Sequence, residues 1–301
     1  MPWLQLHIDT HREQADRVED ALIAAGAVSV TLQDNADQPI LEPALGETPL
    51  WNETRITGLF ATTVDPEVAV ATATSFFGTP LPPYRWEKVE DKNWEREWMQ
   101  GYQPIQCSDK LWICPNWMPP PDPEATNLLL DPGLAFGTGT HPTTFLCLQW
   151  LATQPLRATQ VIDYGCGGCG SGILGIAALL LGATRVVGVD IDPQALQATH
   201  ENVRRNGLTP EDFPVYLPSR LQQDKVVADG ADIILANILA GPLTELAPTL
   251  TRLTRCGGKL CLSGILASQT STVMEAYQGD FWFDPTVQRQ ECVRLTANNK
   301  N

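Results

Sequence analysis

VIDYGCGGCGSG, from Val161 to Gly172, reads as an apolar strand that gives way to glycines just before an apolar helix, SGILGIAALLLG. Glycines are needed where the backbone turns sharply and where it must approach a ligand closely. The helix start beyond them presents unsatisfied N–H groups. Working outward, the same alternation recurs on both sides. LWICP and NLLLD read as strands, and a helix begins near His141. Past the turn, RVVGVDI, ADIILANI and GGKLCLSGIL read as strands. The helical stretches PQALQATHENVRRNG and LTELAPTLTRL separate them, and a last helix and strands follow. Strands alternating with helices of about 10–15 residues predict a doubly wound, mostly parallel α/β sheet. Ligands of such sheets bind beyond the carboxyl ends of the strands, at the switch point.

Before this region the pattern is different. WLQLHI (from Trp3) alternates like a strand, and Ala15, Val18, Ala21, Leu22 and Ala25 then fall at helical spacing, with Gly26 as a stop signal. AVSVTL and ITGLFATTV read as further strands, a helix runs from about Glu67 to Phe77, and YRWEKVE is a fourth strand. The order strand-helix-strand-strand-helix-strand predicts a small ferredoxin-like α+β domain over residues 1–90. DKNWEREWMQGY is charged, aromatic and helical in pattern, with Trp94 and Trp98 one turn apart. It predicts a helical linker over residues 91–108, ahead of an α/β domain spanning 109–301.

Composition narrows the function classes. A 43% hydrophobic, 18% charged chain is globular. No apolar run approaches the roughly 20 residues that span a bilayer, and no basic-then-apolar leader opens the sequence, so a cytoplasmic protein is expected. The eight cysteines are expected to be reduced thiols. Only Cys166 and Cys169 form a C-x-x-C, and no second pair or nearby histidine completes a zinc site, so no metal is expected. A net charge of −15 argues against a nucleic-acid reader. Up to Gln100 there are 7 basic and 17 acidic residues. That front third suits a basic protein partner, and serves equally as a solubilising face.

The turn itself is ambiguous. Gly165, Gly167 and Gly170 satisfy G-x-G-x-x-G after a strand, with Asp190 about twenty residues on, which is the dinucleotide fingerprint. A nicotinamide-dependent oxidoreductase therefore competes with a methyl-donor enzyme. Asp163, two residues before the first glycine, suits the cationic amino-acid portion of S-adenosylmethionine better than a pyrophosphate. Asp190 can accept the ribose hydroxyls of either cofactor. Asn237, at the end of ADIILANI, is placed to receive a substrate amine, although a lone strand-end asparagine is more often a turn residue.

DPGLAFGTGTHPTT (Asp131 to Thr144), VIDYGCG, GVDIDP, NILAGPL and LSGIL, in this order, resemble the ribosomal protein L-eleven methyltransferase family; WLQL, DKNWEREW and LWICP extend the likeness over nearly the whole chain. The resemblance implies a cytoplasmic enzyme with a Rossmann-like class I methyltransferase domain. It would transfer methyl groups from S-adenosylmethionine, releasing S-adenosylhomocysteine, to lysine and N-terminal amines of a basic large-subunit ribosomal protein. The substrate would be met free or on the subunit, and the enzyme is expected to be monomeric. The ferredoxin-like domain would hold the substrate. By position, the resemblance places cofactor contacts on Thr144, Gly165, Asp190 and Asn237, to which the chemistry above adds Asp163 and Gly167. Phe136 is expected to cover the cofactor or the substrate channel, with Gly133, Gly137 and Gly139 freeing that segment. Asn237 would orient the amine, and His141 is either a proton acceptor or lid residue or a helix-start histidine packed under the loop. One departure stands out: the family pattern is D-x-G-x-G-S-G, and this chain carries three extra residues. Either Gly165 and Gly167 keep the contacts, preserving the spacing from Asp163, or Gly168 and Gly170 take them over. A non-catalytic ribosome-associated protein that lost its cofactor through this insertion is the third alternative.

Overall fold

The computed structural model describes residues 2–38, 40, 48–90, 102–130, 139–166, 171–224 and 229–300, apart from the side chains of 222 and 223. The chain divides into two compact units, residues 1–101 and 102–301.

In the first unit β1 (Trp3–His11), α1 (Arg12–Ala24), β2 (Ser29–Asp34), β3 (Glu53–Ala61), α2 (Pro66–Phe77) and β4 (Tyr84–Val89) follow one another. The sheet order is β2-β3-β1-β4 with every neighbouring pair antiparallel, the ferredoxin-like plan. Alternate residues of the central strands, Leu6, Ile8, Ile56 and Phe60, bury against Ala15, Val18 and Leu22 of α1 and Ala73 and Phe77 of α2. Asp65 caps α2 by accepting from Glu67 N, with Pro66 in the first turn, and Gly78 ends the helix in the left-handed region.

The second unit opens with β5 (Ile105–Ser108), β6 (Leu111–Cys114) and β7 (Thr126–Leu129). These form a separate three-stranded sheet, so LWICP and NLLLD pair with each other rather than joining the main sheet. Of the helical linker expected over 91–108, residues 105–108 are strand instead. Ile105–Ser108 turns back at Asp109 and Lys110 to pair antiparallel with β6, which buries Cys107. Residues 91–101, with Trp94 and Trp98, lie outside the described residues.

Next come α3 (Pro142–Leu151), β8 (Gln160–Tyr164), α4 (Ile173–Leu180), β9 (Arg185–Val189), α5 (Pro193–Arg205), β10 (Val215–Tyr216) and β11 (Ala231–Asn237). After them stand α6 (Ala240–Glu245), α7 (Ala247–Leu253), β12 (Thr254–Leu266), α8 (Thr270–Tyr277), β13 (Phe281–Phe283), β14 (Val287–Arg289) and β15 (Cys292–Asn299). The eight-stranded sheet runs β10-β9-β8-β11-β12-β15-β13, with β14 also on β15. The first five strands are parallel to one another, and β15 is antiparallel to its neighbours. Each central strand alternates between two cores. Val161, Val186 and Leu235 face one, while Ile162, Val187 and Ile234 face the other, as a sheet covered on both faces requires. LTELAPTLTRL forms two helices, not one, because Pro248 has no N–H to give and crowds the preceding turn, so the break falls at Leu246.

Candidate functional site

The register of the parallel strands decides which side chains meet. Tyr164 on β8 pairs with Val189 on β9 and with Ala236 on β11. The next residue on each strand, Gly165, Asp190 and Asn237, therefore forms one row across three adjacent carboxyl ends. With strands about 4.8 Å apart, Asp190 and Asn237 flank Gly165 at about 10 Å from one another.

Gly165 has φ 83°, and a Cβ there would stand 2.2 Å from Ile238 Cγ2, so only glycine fits. Its N–H and that of Cys166 both donate to Val189 O, at 2.7 and 3.0 Å, which bends the chain toward β9. Cys166 is buried and its carbonyl accepts from Gly172 N at 3.1 Å, closing the base of the turn. Gly167, and with it Gly168, Cys169 and Gly170, lies outside the described residues, as do Phe136, Gly133 and Gly137. Among the described residues no group of three or more His, Cys, Asp or Glu side chains is arranged to hold a metal ion.

One carboxylate of the site sits behind the row and one within it. Asp163 is 2% exposed, and its Oδ2 accepts from Gly175 N at 2.9 Å, in the first turn of α4. Burial pushes its pKa up to about 7; the Gly175 N–H pulls the other way, and the nearby Asp190 charge adds to the rise. A cation brought to this corner would offset the burial. Asp190 is 6% exposed, and its Oδ1 accepts from Asp192 N at 2.9 Å, while Asp192 caps α5 through Gln194 N. The carboxylate is thus held by the turn that follows it.

On the other side of Gly165, the Asn237 amide donates through Nδ2 to Thr144 Oγ1 at 3.2 Å, and both residues are buried. This bond joins the end of GTGTHPTT to the end of β11 and fixes the orientation of the amide. His141 is exposed and caps α3: its Nδ1 lies 2.7 Å from Thr143 Oγ1 and accepts from Thr143 N at 3.4 Å. The structure thus places His141 at the start of α3 with its ring exposed; the loop of residues 131–138 ahead of it lies outside the described residues. Gly139, with φ 79°, presses against Ile113, where a Cβ would come within 2.1 Å of Cδ1.

Two residues at the row were not singled out from sequence. Ile191, next to Asp190, is 82% exposed, and Leu239, two residues past Asn237, is 57% exposed. An aliphatic side chain between two acids in DID was the available signal, since a strand-end isoleucine normally turns inward. Together these parts fit an amino-acid nucleoside: a glycine at the strand-end turn, a strand-end carboxylate with an apolar neighbour, and a second carboxylate behind.

A family model described as Ribosomal protein L11 methyltransferase (PrmA) matches residues 2–300. The ribosomal protein L11 methyltransferase of Cellvibrio japonicus (strain Ueda107) is 61% identical over 297 residues, covering 99% of this chain and 98% of the relative. That of Saccharophagus degradans (strain 2-40 / ATCC 43961 / DSM 17024) is 56% identical over 300 residues, covering 100% of both chains. Among solved structures, the ribosomal protein L11 methylase from Lactobacillus delbrueckii subsp. bulgaricus superposes with a TM-score of 0.57 at 32% identity, covering 66% of this chain and 100% of that one. None of these matches supports the oxidoreductase or the non-catalytic reading. With the Asp190, Gly165 and Asn237 row in place and the family model spanning residues 2–300, the chain belongs to the ribosomal protein L11 methyltransferase family.

Proposed function

We propose that this protein transfers methyl groups from S-adenosylmethionine to lysine and N-terminal amines of ribosomal protein L11. The observation that carries the reading is the row Asp190, Gly165 and Asn237 across the carboxyl ends of β9, β8 and β11 in a chain of this family. When bound, the donor supplies a sulfonium-activated methyl group for in-line displacement by the amine.

The protein's residues bind, orient and exclude water. Asp190 accepts the ribose hydroxyls, with Ile191 against the purine. The Gly165 and Gly167 backbone approaches the donor, and Asp163 faces its cationic amino-acid end. Phe136 covers the site. Thr144 holds the Asn237 amide, and Asn237 orients the lone pair of the incoming amine. A free lysine has a pKa of about 10.4, so the amine must arrive neutral, and burial at the strand ends disfavours its charged form. No strong base is required, and rate comes mainly from proximity and orientation. His141 stands at the α3 start as the nearby proton acceptor.

Residues 1–90 form the substrate-holding domain, and their acidic excess matches a basic ribosomal protein, free or on the subunit. The stretch that follows links it to the methyltransferase domain, to which β5 at Ile105–Ser108 already belongs. The enzyme works as a cytoplasmic monomer that reads no nucleic acid directly. Among the described residues no helix is long and apolar enough to cross a membrane. Incubation with L11 and S-adenosylmethionine, followed by mass spectrometry, tests the reaction: L11 gains mass in steps of one methyl group, and an unchanged mass refutes the proposal.

A further inference from the structure

The turn ahead of α4 is held from an unexpected direction. Gly172, the residue before the helix, is left-handed with φ 65° and gives the helix no side-chain cap. Helix α5 reaches over to it with two residues one turn apart. Asn202 donates through Nδ2 to Ser171 O at 3.0 Å. Thr199 fills the space that Gly172 leaves: its Cγ2 and Oγ1 lie 2.4 and 3.1 Å from where a Cβ of Gly172 would stand. Thr199 is 0% exposed, and its hydroxyl makes no hydrogen bond among the described residues. A buried hydroxyl without a partner is unfavourable, whereas valine would fill the same space with no polar group to satisfy. Threonine at this place needs a reason beyond packing.

We propose that Thr199 is a positioning residue of the methyl-donor site, its hydroxyl taking a backbone partner in the Ser171–Gly172 turn when the donor binds. The inference rests on the methyltransferase reading above. Carbonyl oxygens accept two hydrogen bonds, so a small movement of the turn brings a partner within reach without displacing Asn202. The helix start that faces the donor then gains a second brace from α5, beside the Asn202 bond, in the bound state. The hydroxyl therefore favours binding while slightly disfavouring the ligand-free protein.

The experiment compares Thr199→Val and Thr199→Ser with the parent, using S-adenosylhomocysteine as the probe in calorimetry and the melting temperature without ligand. Thr199→Val is expected to melt at or above the parent yet bind the probe about two- to tenfold more weakly, the net worth of one neutral hydrogen bond. Thr199→Ser, which keeps the hydroxyl and loses the methyl, is expected to bind like the parent even where it melts lower. Parent-like binding by Thr199→Val overturns the proposal. So does weakened binding in both variants, because the side chain would then act through packing alone. A parent that does not bind the probe overturns the functional reading together with this one, whereas a parent that binds beside an equally tight Thr199→Val removes only the role of Thr199.

Discussion

Replacing Gly165 by alanine probes the centre of the site with one methyl group. At φ 83° an L-residue pays roughly 1–2 kcal/mol in the left-handed region. The new Cβ would also stand 2.2 Å from Ile238 Cγ2. Ordinary carbon contacts are about 3.5–4 Å, so one partner must retreat by well over an ångström. Overpacking of this kind costs about 1–3 kcal/mol. Together the two effects reach about 2–5 kcal/mol, or roughly 4–20 °C in melting temperature for a unit of this size. Urea denaturation of Gly165→Ala measures the loss. A cycle with Ile238→Ala separates its parts: removing Cγ2 leaves Ile238 Cβ at an ordinary 3.7 Å, so the clash is relieved and only the backbone strain remains. A Gly165→Ala protein within about 0.5 kcal/mol of the parent, or no coupling to Ile238→Ala, would refute the reasoning.

Asp163→Asn tests the buried carboxyl. The folded pKa of Asp163 is raised from 3.8 to about 7, so between these values the folded state holds a proton that the unfolded state has lost. Its contribution therefore declines as pH rises through that window. Asparagine still accepts from Gly175 N without titrating, so its stability relative to the parent should climb from pH 4 to 8 in urea melts; a flat difference removes the argument. Asp190→Asn should weaken S-adenosylhomocysteine binding about 10- to 100-fold by replacing charge-assisted hydrogen bonds with neutral ones, and calorimetry showing parent-like affinity would displace the ribose from this residue. Thr144→Val removes the acceptor of the Asn237 amide, at a cost of about 1–3 kcal/mol if nothing replaces it. Turnover of L11 should fall with it, and unchanged turnover would detach Asn237 from amine orientation.

The order of elements was legible because both periodicities in this chain are clean: Val161 and Ile162 separate into opposite cores, and Ala15, Val18 and Leu22 share one helical face. Asp190 was legible because an acid closing an apolar strand has no place in a core. The Thr144 to Asn237 bond was not, since 93 residues separate its ends and no local rule pairs them. Nor was the separate sheet of β5, β6 and β7: LWIC and NLLL look like any parallel strands, and only tertiary pairing decides which sheet receives them. The break at Leu246 was written in Pro248, whose missing N–H outweighs the helical spacing around it. For His141 the helix start was legible in the sequence, and only the contact of its Nδ1 with the Thr143 N–H appears with the fold.

The hydrogen bond from Gly172 N to Cys166 O works as a clasp on the turn that carries the extra tripeptide. Its two posts are set by the strand β8 and the helix α4, and Asp163 reaches from the one to the other through Gly175 N. Chain added between fixed posts raises the closure entropy only logarithmically, so three more residues add about 1 kcal/mol or less. The distance from strand to helix is therefore insulated from the length of what lies between them. This makes the turn a natural place for the chain to accept insertions, and an engineer could lengthen it there while leaving the strand-to-helix spacing unchanged.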